Sequence, residues 1–533
     1  MALVGDIWDF IVVGGGSAGC VLASRLSEDP AARVLLLDAG RSDSHPYSRI
    51  PAAVGLAFSS REMNWSYLAE PDPSRGNRRD IWPAGKLLGG GSSINGMMFV
   101  RGNAWDYDHW RDLGNVGWGY SDVLPYFRRL ENNERGANEF RGGAGPQSVA
   151  DARVHHPLTD AFVEAMVELG VPRNMDLNGA TQEGVDYCQL TQKNGVRHSA
   201  ASAYLAPVRS RQNLEVRLGA AANRVEIQDG CARSVSYVQR GVTHRAVTRR
   251  GIVIASGALA TPKLLMLSGI GPAEHLRSLG IEVVCELPGV GQNLQEHPGM
   301  IVSPRVDLPT LTSDLGPRAI IRESWRFLTR RRGALTQPVG NAHAFVRTRP
   351  NLDAPNVQII FSPTAFDHHE TGVTVHRGRA TSLAVGLCRV RSRGSVRLRT
   401  KNPQDCPVID YALLSDPDDL AQLAEGVEMA RRLYQTASFA RHFRGERVPG
   451  DPEQSRIALL DFIRRHSFLM YHACGTCRMG DDPLAVVGAD LKVRGVRNLW
   501  VADASIMPTL PAGNINASCL MIGEKASDLI RGV

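Results

Sequence analysis

The chain has 533 residues, 43% of them hydrophobic and 22% charged, which excludes a disordered chain and exceeds one ordinary domain. Its net charge of +7 comes from scattered arginines with one run, Arg330-Arg331-Arg332. Without a long basic tract interleaved with aromatics this argues against nucleic acid as a partner, while attraction to anionic substrates or membrane surfaces stays open. No apolar run reaches the roughly 18–20 residues that cross a bilayer, so no integral membrane segment is expected. Met1 leads almost directly into a strand pattern without the layout of a signal peptide, and the expected location is cytoplasmic. Nine widely spread cysteines make no disulfide framework. Cys474-Gly-Thr-Cys477 has no second C-x-x-C to complete a zinc site, so no metal is expected.

The stretch Phe10-Ile11-Val12-Val13 reads as a buried parallel strand, and Ala18, Val21, Leu22 and Leu26 recur at helical spacing from about Ser17. Between them lie Gly14, Gly16 and Gly19. Gly14 permits the tight turn, Gly16 lets a pyrophosphate reach the backbone, and Gly19 lets helix and strand pack closely. The N–H groups at the helix start bind phosphates. A second strand, Arg33 to Leu37, ends on Asp38, 24 residues after Gly14, where a ribose-binding carboxylate belongs. The order of strand, turn, helix, strand and carboxylate predicts dinucleotide binding. The alternative is an ordinary βα turn.

Gly89 to Gly96 is too rich in glycine and serine for a packed strand or helix, and its backbone suits close approach to a flat or phosphorylated ligand. Flanking Leu87, Leu88, Ile94, Met97 and Met98 anchor it in a core. Helical patterns follow from Asp106 to Glu134 and from Pro157 to Gly170. Asn213–Arg224 and Val225–Val238 read as paired strands, and Thr248–Ala255 as a strand leading into a second glycine turn at Gly257. Ile301–Val306, Val357–Phe361, Leu383–Val390 and Ser395–Leu398 predict a separate mixed sheet, with a helix over Asp416–Thr436. Motifs return at Tyr471-His472 through Gly480. The strand Asn498–Ala502 ends on Asp503, and Gly513-Asn514-Ile515-Asn516 opens a closing helix.

Together these stretches resemble the glucose–methanol–choline family of flavin oxidoreductases, in its bacterial choline- and alcohol-dehydrogenase-like branch. Gly85-Lys86 through Asp108 is similar to the family's first signature and Gly257 through Gly271 to its second. His472-x-x-Gly475-Thr476-x-Arg478-Met479-Gly480 and Gly513-Asn514-x-Asn516 complete the set. The resemblance implies an α/β fold in which a Rossmann-like FAD-binding domain (1–155, 195–300, 455–533) is interleaved with a mixed-sheet α+β substrate domain (156–194, 301–454).

It further implies that Gly14, Gly16, Ser17 and Gly19 hold the FAD pyrophosphate and Asp38, in place of the usual glutamate, the ribose. Gly90, Asn95, Gly96, Met97 and Met98 lie along the isoalloxazine, with Tyr471 and Asn516 near it. Val225 meets the adenine through its backbone, and Asp503 stands near the pyrophosphate unless it only caps a turn. His472 is the base that takes the hydroxyl proton of an alcohol, and Asn514 donates to the developing alkoxide unless it is a helix cap; Asn516 is the second choice. Some members attach flavin to a histidine in the glycine-serine loop. Ile94 stands there, so non-covalent FAD is expected. The resemblance implies oxidation of a primary alcohol to the aldehyde, with oxygen or a quinone-type acceptor taking the electrons. A non-redox lyase on the same fold and a nicotinamide dehydrogenase are the competing readings.

Overall fold

The computed structural model describes residues 7–313, 316–370, 372–450 and 455–532. Strand β1 (Ile7–Val13) runs into helix α1 (Ser17–Leu26) and strand β2 (Val34–Asp38). β1 and β2 pair in parallel, and both are buried, as continuous Val, Ile and Leu runs require. At Gly19 an added Cβ would stand 1.8 Å from the Gly14 carbonyl oxygen, so only glycine lets α1 sit this close to the turn.

Five further segments complete the first sheet. Leu214–Leu218 adds to β2 in parallel, Val242–Ile254 lies beside β1, and Leu499–Val501 pairs with its far end. The near end of Val242–Ile254 continues into an antiparallel meander with Cys231–Gln239 and Ala220–Gln228. The expected pairing of 213–224 with 225–238 is therefore corrected. Gly219 (φ 62°) breaks the first run, and Asp229-Gly230, both at positive φ, makes the hairpin turn.

The second large sheet is antiparallel. Its order is Phe443–Val448, Pro298–Val306, Ser382–Leu387, Val357–Ser362, Ala342–Val346 and Gly184–Tyr187, with Phe468–Leu469 also on Pro298–Gly299. Strands alternate their faces with period two. Val357 and Phe361 point one way. Helix Pro417–Arg432 approaches Val357 through Gly426, and Phe162 of helix Pro157–Glu168 stacks on Phe361 at 5.0 Å. Gln358 and Ile360 point the other way, toward the cavity described below. Ser395–Arg397, expected in this sheet, instead pairs with Val408–Asp410 as a separate ribbon. Among the described residues no helix is long and apolar enough to cross a membrane.

Candidate active site

A continuous cavity of about 1050 Å³ runs from the β1–α1 turn to the second sheet. This is at the top of the ~300–1,000 Å³ range of ligand pockets, room for an elongated ligand and a substrate. Gly14, Gly16, Ser17, Asp38, Gly90, Asn95, Gly96, Met97, Met98, Tyr471, His472, Asp503, Asn514 and Asn516 all line it. Val225 does not. Its N–H is donated to Ser268 Oγ (2.9 Å), and Ala220 to Asn223 face the cavity instead. The displacement follows from the strand break at Gly219.

At the nucleotide-type end both Asp38 oxygens accept backbone hydrogens, from Gly15 (2.8 Å) and Gly40 (2.7 Å), and burial raises its pKa. Added Cβ atoms on Gly16, Gly91 and Gly257 would meet no protein atom closer than 3.9 Å. That side-chain-free wall is room left for a ligand to lie against backbone. Asp503 accepts from Gly257 N (2.8 Å), Thr261 Oγ1 (2.6 Å) and Ser505 N (2.8 Å), so it caps a turn and also ties two turns together beside the cavity. Ser17 Oγ donates to Asn516 Oδ1 (2.7 Å), joining the first helix to the last.

In the glycine-serine loop Asn95 Oδ1 accepts from Met97 N (3.0 Å) and Arg197 (2.7 Å). Met97 (φ 62°) and Tyr471 (φ 66°) both hold left-handed backbone, a cost that concentrates where geometry is functional. Ile94 is buried among Ala57, Met63 and Leu87 and is not part of the cavity wall. Cys474 and Cys477 are buried free thiols. Thr476 between them donates to the Ala258 carbonyl (2.6 Å), anchoring this stretch on the second glycine turn.

His472 and Asn514, 42 residues apart, meet at the other end: Asn514 Nδ2 lies 3.1 Å from His472 Nε2. Asn514 is not a helix cap, since the closing helix starts at Asn516 after Ile515. The hydrogen-bond chain fixes who carries each proton. The Cys388 carbonyl can only accept, so His297 carries its hydrogen on Nε2 (3.0 Å). Burial holds His297 neutral, so its Nδ1 is a lone pair. His472 Nδ1, 2.9 Å away, must then carry the hydrogen, and His472 Nε2 faces the cavity as an acceptor. Glu296 accepts the backbone N–H groups of His297 and His472 at 2.8 Å each, fixing the segment. On the far side Gln358 bridges Asn514 Oδ1 (3.5 Å) and His343 Nδ1 (3.2 Å). His297, Glu296, Gln358 and His343 were not singled out from the sequence; the adjacent Glu296-His297 pair was the available signal.

Burial depresses His343 and His472 to about 3 and His297 well below 6.5. The folded chain thus refuses protons that the unfolded chain accepts below pH 6.5. This stability is complete above pH 6.5 and is lost as pH falls from there toward 3. The thermal midpoint of the holoenzyme should be flat near pH 7–8 and fall steadily below 6.5; a flat midpoint down to pH 5 would contradict it.

A dinucleotide-type sheet, a glycine cradle and a buried His–Asn pair across one cavity define an oxidoreductase-like architecture. The chain belongs to the GMC oxidoreductase family, whose N-terminal model matches residues 8–299 and whose C-terminal model matches 390–523. It is 40% identical to the alcohol dehydrogenase [acceptor] of Pseudomonas putida, over 98% of this chain and 96% of that protein. It is 41% identical to the mitochondrial choline dehydrogenase of Mus musculus, over 99% and 90%. Its fold is similar to that of pyridoxine 4-oxidase from Mesorbium loti, with TM-score 0.88, 32% identity and 99% of each chain covered.

Proposed function

We propose that the chain oxidises a neutral primary alcohol to the aldehyde, with His472 as base, Asn514 as alkoxide donor and FAD as cofactor. The observation that carries this is the bare His472 Nε2 beside the Asn514 amide on the cavity wall. The hydroxyl donates to His472 Nε2 while Asn514 Nδ2 donates to the same oxygen. His472 takes the proton as the C–H bond breaks, and aldehyde is left. Bound FAD supplies the hydride acceptor, and its electrons pass on to oxygen or a quinone-type acceptor.

The cavity fits that cofactor. Gly14, Gly16, Ser17 and the N-terminus of α1 suit the pyrophosphate, and Asp38 the ribose. Asn95 to Met98, with Tyr471 and Asn516, suit the ring system. Asp503 helps hold the wall, and Gly19 sets the helix position. We assign the nucleotide sheet and its flanking segments to an FAD-binding domain and the antiparallel sheet to a substrate domain. Relative to the sequence-based boundaries, the second segment of that domain starts at Pro298, and the domain takes in Phe468–Leu469. A cytoplasmic location completes the reading.

Neutrality of the substrate follows from the lining. Its carboxylates among the described residues are Asp38, Asp405 and Asp503. Asp38 and Asp503 hold glycine turns, and Asp405 lies beside Lys263 of the nucleotide-side helix Ala260–Leu267. Met98, Ile360, Phe366, Ala384 and Phe468 form the apolar wall at the second sheet. A cationic alcohol would be desolvated there without a counter-charge. Anaerobic mixing with neutral and quaternary-ammonium alcohols tests this. Neutral primary alcohols should bleach the flavin with the higher kcat/KM. Cyanohydrin cleavage with the flavin left oxidised would replace this reading with the lyase, and a colourless protein would replace it with a nicotinamide enzyme. Because Ile94 offers no attachment atom, acid precipitation should release all flavin into the supernatant; colour in the pellet would reveal covalent attachment.

A further inference from the structure

Helix Pro317–Arg330 presents apolar side chains to the outside. Of its fourteen residues only Ala319 and Phe327 are buried apolar ones. Ile320, Ile321, Trp325 and Leu328 are 54%, 69%, 54% and 68% exposed. At 100° per residue these four fall within one sector of about 140°. Beside that sector runs a four-residue stripe of exposed arginines, Arg318, Arg322, Arg326 and Arg330, and Arg331 and Arg332 follow at the helix end. The one acid, Glu323, is turned toward Ala334 N (2.9 Å) and bonds Arg322 and Arg326. Six arginines against one glutamate leave five net positive charges on this segment. The Arg330 guanidinium reaches over the Trp325 ring at 5.3 Å.

The helix also sits at the cavity. Leu311 and Thr312 before it, and Ala334 and Leu335 after it, line the wall. Two partly exposed apolar residues of the same wall, Val339 and Val375, lie on neighbouring segments.

We propose that helix Pro317–Arg330 is an interfacial helix that docks the protein on an anionic lipid bilayer. Ile320, Ile321, Trp325 and Leu328 enter the headgroup–acyl boundary, and the arginine stems run outward so that their guanidinium groups meet lipid phosphates. Charge decides between occupants. A second copy packed on the same apolar row would bring a further five positive charges to the contact, with no acid on either helix except Glu323 to offset them. An anionic surface attracts them, and an apolar row flanked by arginine fits a boundary that is apolar on one side and phosphate on the other. The docking itself does not depend on the alcohol reading. Its consequence does: a lipophilic alcohol or acceptor dissolved in the bilayer reaches the cavity mouth without crossing water.

The test uses FAD-loaded full-length protein with sedimenting vesicles of phosphatidylcholine alone or mixed equally with phosphatidylglycerol, at about 0.1 M salt. Binding to the mixed vesicles, and little to phosphatidylcholine alone, is expected. The variant Ile321→Glu/Trp325→Glu/Leu328→Glu should weaken it by roughly tenfold or more while keeping the wild-type rate of flavin bleaching by a water-soluble alcohol. Arg318→Gln/Arg330→Gln should weaken binding to mixed vesicles and leave the weak phosphatidylcholine binding unchanged. No binding by the wild type, or unaltered binding by the triple glutamate variant, would overturn the proposal. So would a wild-type dimer that this variant turns into monomers, which would make the row a self-interface. Vesicle binding with no bleaching by any alcohol would leave the docking standing and remove the alcohol reading.

Discussion

His472→Ala is expected to slow flavin reduction by a saturating alcohol by roughly 10² to 10⁴, the usual worth of a positioned base. The expectation rests on the proton inventory around the ring. His297 donates through Nε2 to the Cys388 carbonyl and takes the His472 hydrogen at Nδ1, which leaves His472 Nε2 bare toward the cavity. Burial lowers the His472 pKa to about 3, so the ring is neutral and able to accept a proton near neutral pH. Flavin content of the variant should stay near wild type, because the glycine cradle belongs to the β1–α1 turn at the other end of the cavity. Anaerobic stopped flow with flavin loading measured on the same sample makes the comparison. Reduction at the wild-type rate with normal loading would leave His472 a packing residue.

The first unit was legible from sequence because its information is local. Gly14, Gly16, Gly19 and Asp38 are placed by one turn, one helix and one following strand. Gly19 could be read as a packing glycine because the close approach it permits is to its own turn. The second sheet was read only in part. Ala342–Val346 is buried along its whole length, so it has no alternation to detect. Yet that strand carries His343, and its neighbour carries Gln358 toward Asn514. Val225 was misplaced because one glycine, Gly219, turns a single apolar stretch into two strands with different partners. The pairing of His472 with Asn514 came through motif resemblance, since no periodicity links residues 42 apart. What resemblance did not carry was the tautomer of His472. That is set by His297 and the Cys388 carbonyl, two groups brought together only when Pro298–Val306 and Ser382–Leu387 pair.

Asn514→Ala is expected to cost on the order of 10² to 10³ in flavin reduction, as for a lost oxyanion donor. Its amide hydrogen points at His472 Nε2 at 3.1 Å when no alcohol is present. An alcohol oxygen placed between the two groups donates to one and accepts from the other, so the same N–H moves from the imidazole to the alkoxide. Its strength grows as negative charge develops, which is why the loss should fall on the reduction rate more than on apparent substrate affinity. The orientation that permits this is held by Gln358, which donates to Asn514 Oδ1 and leaves Nδ2 free to turn to the cavity. Asn514→His should keep part of the rate, since an imidazole N–H is also a donor. Asn514→Asp should not, because a carboxylate offers only acceptors to a developing anion. The double variant His472→Ala/Asn514→Ala should be less impaired than the product of the two single losses, because both groups act on one oxygen. Fully multiplicative losses would mean that the two residues act on different atoms. An Asn514→Ala enzyme that reduces its flavin at the wild-type rate would assign the amide to holding the His472 ring alone.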